Sequence, residues 1–361
     1  MASWLNLEKF DSEITNRCNA ACVLCPRTGI NNGVSDLMHA MKIRDVEIDD
    51  WKEILTSKNG QNIVSINYCG NYGDPMMHPK AFEIFKQNQD LGAKYQRPDT
   101  NGGMRDKSWW SELGKLKTMR VNFAIDGLED TNHIYRRNTD YDKIIENAQA
   151  YIDSGGKAIW IMLVFEHNQH QVKEARRLSK KMGFVDFAIK RTSRGYNPDK
   201  PEYLKIQPYR KRNDQEEKRD IIKFTSIKEY QPDIMYKGHQ ERKVVPKCIE
   251  WKQMFITSDR LIIPCCHTQT AFAKTMYIPE HPSSGEGAMT EFYWFLEENK
   301  IKYDLAKYSF DEIMESYEEF YPGFERGWKE KSFSICNKQC GSNFRNETVH
   351  DDKRNMYNLY Q

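Results

Sequence analysis

The chain reads as an α/β protein, and three observations carry that reading. Between residues 9 and 191, strand-like apolar runs alternate with helix-like ones, giving about six strand–helix repeats. One run, Ala158-Ile159-Trp160-Ile161-Met162-Leu163-Val164-Phe165, is apolar throughout, as expected of a strand covered on both faces of a parallel sheet. Beyond residue 247 the pattern changes to a hairpin, then helices, with cysteines at both ends. That change predicts a smaller α+β extension.

Lys9 to Thr15, within a candidate stretch 4–15, forms the first strand and feeds the loop Cys18-Asn19-Ala20-Ala21-Cys22-Val23-Leu24-Cys25-Pro26. The polar, glycine-bearing stretch 29–39 is loop. Asp49 to Leu55 has helical spacing with acidic residues in its first turn. Ile63 to Tyr68 is the second strand, followed at once by Cys69-Gly70-Asn71-Tyr72-Gly73-Asp74-Pro75, whose glycines allow a close backbone approach to a ligand. Pro79 to Leu91 is a helix with proline in its first turn.

A short strand at Ala93 to Gln96 leads to Thr100-Asn101-Gly102-Gly103, and Arg120 to Gly127 is the next strand with its exit loop. Then come the arginine pair of His133-Ile134-Tyr135-Arg136-Arg137, a helix from Tyr141 to Ser154 closed by Gly155-Gly156, the apolar strand, a helix from Asn168 to Met182, and a strand from Val185 to Arg191. Residues 194–247 are rich in Lys, Arg, Pro and Tyr with no convincing strand, so they form a linker or lid.

Composition narrows the function. A length of 361 residues suits one large domain, or one domain plus a smaller module. Charged residues make up 29% and mean hydropathy is −0.81, which describes a soluble chain. No apolar run approaches the roughly 20 residues that cross a bilayer, and no signal peptide is evident, so a cytoplasmic, non-membrane protein is expected. Nine cysteines then argue for metal ligation rather than disulfides. A net charge of +2 gives little support for a nucleic-acid partner.

Cys18, Cys22 and Cys25 stand in C-x3-C-x2-C spacing. Thiolates are soft ligands for iron and zinc. A structural zinc site and an ordinary iron–sulfur cluster each want four protein ligands. Three therefore either leave a coordination position open or belong to a zinc site completed from elsewhere.

With this spacing the chain resembles the radical SAM enzymes. The resemblance implies a partial (β/α)6 TIM-like barrel over residues 1–193 and a [4Fe–4S] cluster on Cys18, Cys22 and Cys25, with S-adenosylmethionine (SAM) on the open iron. Leu24 stands where the family usually has an aromatic that touches the adenine. Gly70 to Pro75 is similar to the family's G-x-x-G-E-P-like motif. Gly73 and Asp74, the latter in place of the usual glutamate, are then expected to hold the methionine ammonium. Thr100-Asn101-Gly102 is similar to the family's T-N-G, and the strand ending at Asp126-Gly127 to its S-x-D-G. Ala124 replaces a serine that often contacts the SAM carboxylate, and Asn122, on the same face, is its expected substitute. One of Arg136 and Arg137 is expected to pair with a carboxylate.

The segment 248–361 resembles the SPASM/twitch extensions of that family. Cys248 and Cys265 flank a hairpin, with sixteen residues between them, and Cys336 and Cys340 follow a helix opened by a Ser309–Glu312 capping box. The resemblance implies a second, auxiliary [4Fe–4S] cluster on these four thiols, in the single-cluster twitch form. Cys266 is the alternative to Cys265, a four-thiolate zinc site is the alternative to iron, and Cys69 is taken as a buried small hydrophobe. The hairpin usually turns on a glycine; Arg260 occupies that region here.

The implied chemistry is reductive cleavage of SAM to a 5′-deoxyadenosyl radical and abstraction of a hydrogen atom from an organic substrate. The auxiliary cluster would take up an electron and give an oxidised or cross-linked product. The expected partners are a small-molecule or peptide substrate and a reductase or flavodoxin-type electron donor. Only about 17 residues precede Cys18, which favours a small molecule or a carried substrate over a peptide with its own recognition domain. Peptide-modifying and RNA-modifying radical SAM chemistry remain the enzymatic alternatives, and a zinc-bearing interaction protein the non-catalytic one.

Overall fold

Short buried apolar stretches set the strands. They are β1 (Lys9–Ser12), β2 (Ser65–Tyr68), β3 (Tyr95–Thr100), β4 (Arg120–Ala124), β5 (Lys157–Leu163), β6 (Asp186–Lys190), β7 (Tyr203–Leu204), β8 (Ile222–Lys223), β9 (Gln253–Ile256), β10 (Ile262–Ile263) and β11 (Thr348–His350). The computed structural model describes residues 3–28, 40–192, 203–204, 222–231, 243–280, 290–341 and 348–350. The expected 29–39 loop lies outside the described residues.

The chain forms two compact units, Met1–Arg17 with Asp36–Pro98 and His239–Phe344, and Cys18–Ser35 with Asp99–Gly238 and Arg345–Gln361. The first carries strands in the order β10-β9-β1-β2-β3, all parallel except β10, which turns back antiparallel on β9. The hairpin expected between Cys248 and Cys265 is therefore present. Its β9 lies in register beside β1, with Met254 opposite Phe10. Phe10, Trp51, Tyr68 and Phe85 fill this core as a chain of ring contacts 4.7 to 5.9 Å apart. Each such ring contributes about 1.5–3 kcal/mol by its burial.

The second unit continues from the end of β3 through β4, β5 and β6 in parallel, and β11 closes it antiparallel on β6. Its core packs Trp110, Phe123, Tyr151, Trp160 and Phe184 together. The six strands β1 to β6, running parallel in sequence order, are the mostly parallel, open α/β sheet expected of a partial (β/α)6 TIM-like barrel.

Several local expectations are corrected. The helix expected from Pro79 begins at Ala81, so Pro79 lies before it, and the proline-initiated turn is instead the 3-10 segment Pro75–Met77. Strand β3 runs on through Pro98 to Thr100 rather than stopping at Gln96. A helix at Lys107–Gly114, capped by Asp106, was not foreseen. The 194–247 stretch does contain strand: β7 and β8 pair antiparallel, and Phe224 bridges Phe165. Among the described residues, no helix is long and apolar enough to cross a membrane.

Candidate active site

The three-thiol loop is held by backbone pairing within the second unit. Ala21 N–H donates to the Arg137 carbonyl (2.9 Å), Val23 N–H to the Tyr135 carbonyl (3.1 Å) and Cys25 N–H to the Cys22 carbonyl (3.1 Å). Ala20, Val23 and Leu24 pack beneath the loop with Tyr135, Phe165, Ile222 and Phe224. Leu24 is fully buried in that cluster.

The segment that pairs with this loop also supplies a cation. Arg136 Nη1 donates to Cys22 Sγ at 3.5 Å, and its Nε donates to Asp126 Oδ2 at 2.6 Å. Asp126 has no exposed surface and also accepts from Leu163 N–H at 2.6 Å. Burial works against the Arg136 charge, but Asp126 and Cys22 keep the guanidinium protonated. Burial pushes the Cys22 thiol up to about 11 against the pull of Arg136. Of the arginine pair, Arg136 is the one whose side chain meets both Asp126 and the loop, while Arg137 contributes its carbonyl. On the other side of the loop, Asn101 Nδ2 lies 3.9 Å from Cys18 Sγ and donates to Asn19 Oδ1 at 2.9 Å. Asn122 gives one of its two amide N–H groups to Asp99 Oδ1 (2.6 Å).

Gly73 and Asp74 lie in the first unit. A Cβ on Gly73 would stand 1.7 Å from the Thr15 carbonyl oxygen, so only glycine fits there. Asp74 N–H donates to the Arg17 carbonyl (2.8 Å), and the Asp74 carboxylate caps the next turn by accepting from Met76 N–H (3.0 Å). Sequence reasoning missed Glu13. Its buried Oε1 accepts from Tyr72 N–H (2.5 Å) and Gly73 N–H (3.1 Å), and its Oε2 accepts from Gln269 Nε2. Burial pushes this carboxyl up to about 7. The available signal was an acid at the strand exit, between Ser12 and Ile14.

The same unit holds the C-terminal thiols. Cys265 caps the helix Cys266–Tyr277, and Cys336 and Cys340 lie on the helix Ser334–Cys340. Burial raises Cys248 well above an ordinary thiol, with Cys336 and Cys340 adding to it, and raises Cys265, with Cys266, Cys248 and Cys336 adding to it. Arg260 does take the left-handed turn position (φ 67°) and is anchored to Asp50 at 2.6 Å.

Among the described residues, no three His, Cys, Asp or Glu side chains are gathered closely enough to hold a metal ion. The donor chemistry nonetheless fits one. Thiolates are soft ligands for iron and zinc, and a metal binds them in the deprotonated form. At Cys22 a guanidinium already points at the sulfur that would carry the charge.

Residues 12–179 match the model of the Radical SAM superfamily, so the chain carries a radical SAM domain over that stretch. A probable GTP 3′,8-cyclase of Methanothermobacter thermautotrophicus is 22% identical over 175 residues, covering 48% of this chain and 53% of that relative, about half its length. Among solved structures, SuiB of Streptococcus suis bound to S-adenosylmethionine is 14% identical with a TM-score of 0.49, over 80% of this chain and 68% of that one. BtrN in complex with AdoMet and 2-DOIA is 9% identical with a TM-score of 0.42, over 92% of both chains.

Proposed function

We propose that this chain is a radical SAM enzyme that abstracts a hydrogen atom from an organic substrate, a small molecule or a peptide, and yields an oxidised or cross-linked product. Cys18, Cys22 and Cys25 would hold a [4Fe–4S] cluster, and Cys248, Cys265, Cys336 and Cys340 a second, auxiliary one. When bound, the first cluster and S-adenosylmethionine together supply the 5′-deoxyadenosyl radical once a reductase or flavodoxin-type partner delivers an electron; the protein orients the reactants and excludes water.

The observation that carries the reading is the buried Asp126–Arg136–Cys22 line. Arg136 stabilises negative charge on the Cys22 sulfur, and Asp126 holds the guanidinium in place and balances its charge. Asn101 offers a second N–H toward Cys18. The Gly70–Asp74 loop, kept close to the strand exit by Gly73, is the candidate holder of the methionine ammonium. Four protein thiols at the auxiliary site leave no open iron, which favours electron transfer over substrate ligation there.

Anaerobic purification with metal analysis tests the assignment. About eight irons per chain are expected, and 5′-deoxyadenosine should appear on reduction with S-adenosylmethionine. Zinc in place of iron would end it.

A further inference from the structure

Glu13 and Gln269 are both buried, and neither has a role in the chemistry above. The polarity of the hydrogen bonds around them is fixed from both ends. At one end the Tyr72 and Gly73 N–H groups can only donate, and both donate to Glu13 Oε1. At the other end the Cys266 carbonyl can only accept, and it accepts from Asn71 Nδ2 at 2.7 Å. The same Asn71 nitrogen donates to Gln269 Oε1 at 2.7 Å, so Gln269 must turn its own N–H toward Glu13 Oε2. A second strut runs beside the first, where Tyr72 OH donates to Thr270 Oγ1 at 3.0 Å.

This arrangement aims the loop. In a trans peptide the C=O points opposite to the N–H. Drawing the Tyr72 and Gly73 N–H groups onto Glu13 therefore turns the Asn71 and Tyr72 carbonyls away from that acid. Gln269 and Asn71 fasten the loop to the helix whose cap is Cys265 and whose first residue is Cys266.

We propose that Glu13 and Gln269 are positioning residues that tie the Gly70–Asp74 loop to the helix opened by Cys265 and Cys266, so that an amine-bearing ligand at the loop and a metal at the C-terminal thiols strengthen each other's binding. This rests on the reading given under Proposed function. By linkage the coupling is reciprocal.

The test is equilibrium binding of S-adenosylmethionine, and of its analogue lacking the amino group, to the anaerobically reconstituted full chain. Gln269→Met should weaken S-adenosylmethionine about tenfold but the deaminated analogue less than about twofold. The paired change Cys336→Ser with Cys340→Ser should weaken S-adenosylmethionine in the parent and add less than about twofold in the Gln269→Met background. Should Gln269→Met not fold, judged by its thermal midpoint, Asn71→Ala cuts the same chain of hydrogen bonds at the loop and carries the same expectations. Equal weakening of both ligands, or an undiminished effect of the cysteine changes in the variant, would overturn the coupling alone. A parent that binds no S-adenosylmethionine would overturn the underlying reading and the coupling with it.

Discussion

The Arg136 guanidinium lies 2.6 Å from the fully buried Asp126 carboxylate. Taking away the acid leaves a buried positive charge with no counter-charge at that distance, which costs far more than the pair itself contributes. Asp126→Ala should lower unfolding stability by about 3–5 kcal/mol in urea titrations. Arg136→Lys should be milder in stability but should lower the iron retained per chain, because an ammonium cannot reach Asp126 and Cys22 together with the guanidinium's planar fork.

Glu13 predicts a pH effect. Burial raises its pKa from 4.5 to about 7. Between those values the folded chain keeps a proton that the unfolded chain releases, so stability falls as pH rises across that window, by on the order of 3 kcal/mol. The neighbouring Asp259 carboxylate adds to the shift. Glu13→Gln should flatten the dependence of the thermal midpoint on pH between about 4.5 and 7. An unchanged slope would show that the acid titrates normally.

Gly73→Ala should separate cluster from cofactor. The added methyl would meet the Thr15 carbonyl at 1.7 Å, so the loop must move. Iron held by Cys18, Cys22 and Cys25 should be retained, while S-adenosylmethionine cleavage should drop at least about tenfold.

The C-terminal thiols predict a different split. Cys336→Ser with Cys340→Ser should lower iron from about eight to about four per chain. Formation of 5′-deoxyadenosine should persist while oxidised product disappears. Undiminished product would remove the auxiliary site from the reaction.

Much of this was legible in the sequence, for identifiable reasons. Strands such as Lys157–Leu163 announce themselves because burial on both faces demands unbroken apolar residues. The helix ends at Ser154 and Gly183 and the capping box at Ser309 are local chemistry, and local chemistry is written locally. The strand expected to stop at Gln96 continues through Pro98 to Thr100, because proline lacks a donor but keeps the extended backbone. That the Arg136 side chain reaches Asp126 and Cys22 is a tertiary fact no spacing pattern contains. Glu13, Gln269 and Asn71 are distant in sequence and converge only once the fold is made, so no spacing pattern could join them.

The most direct measurement is 5′-deoxyadenosine formed from S-adenosylmethionine by the anaerobically purified, reduced chain, set beside Cys22→Ala. Iron-dependent release by the parent and none by the variant is the result expected here. Colourless, zinc-bearing protein that leaves the cofactor intact, or equal release by both chains, would contradict it.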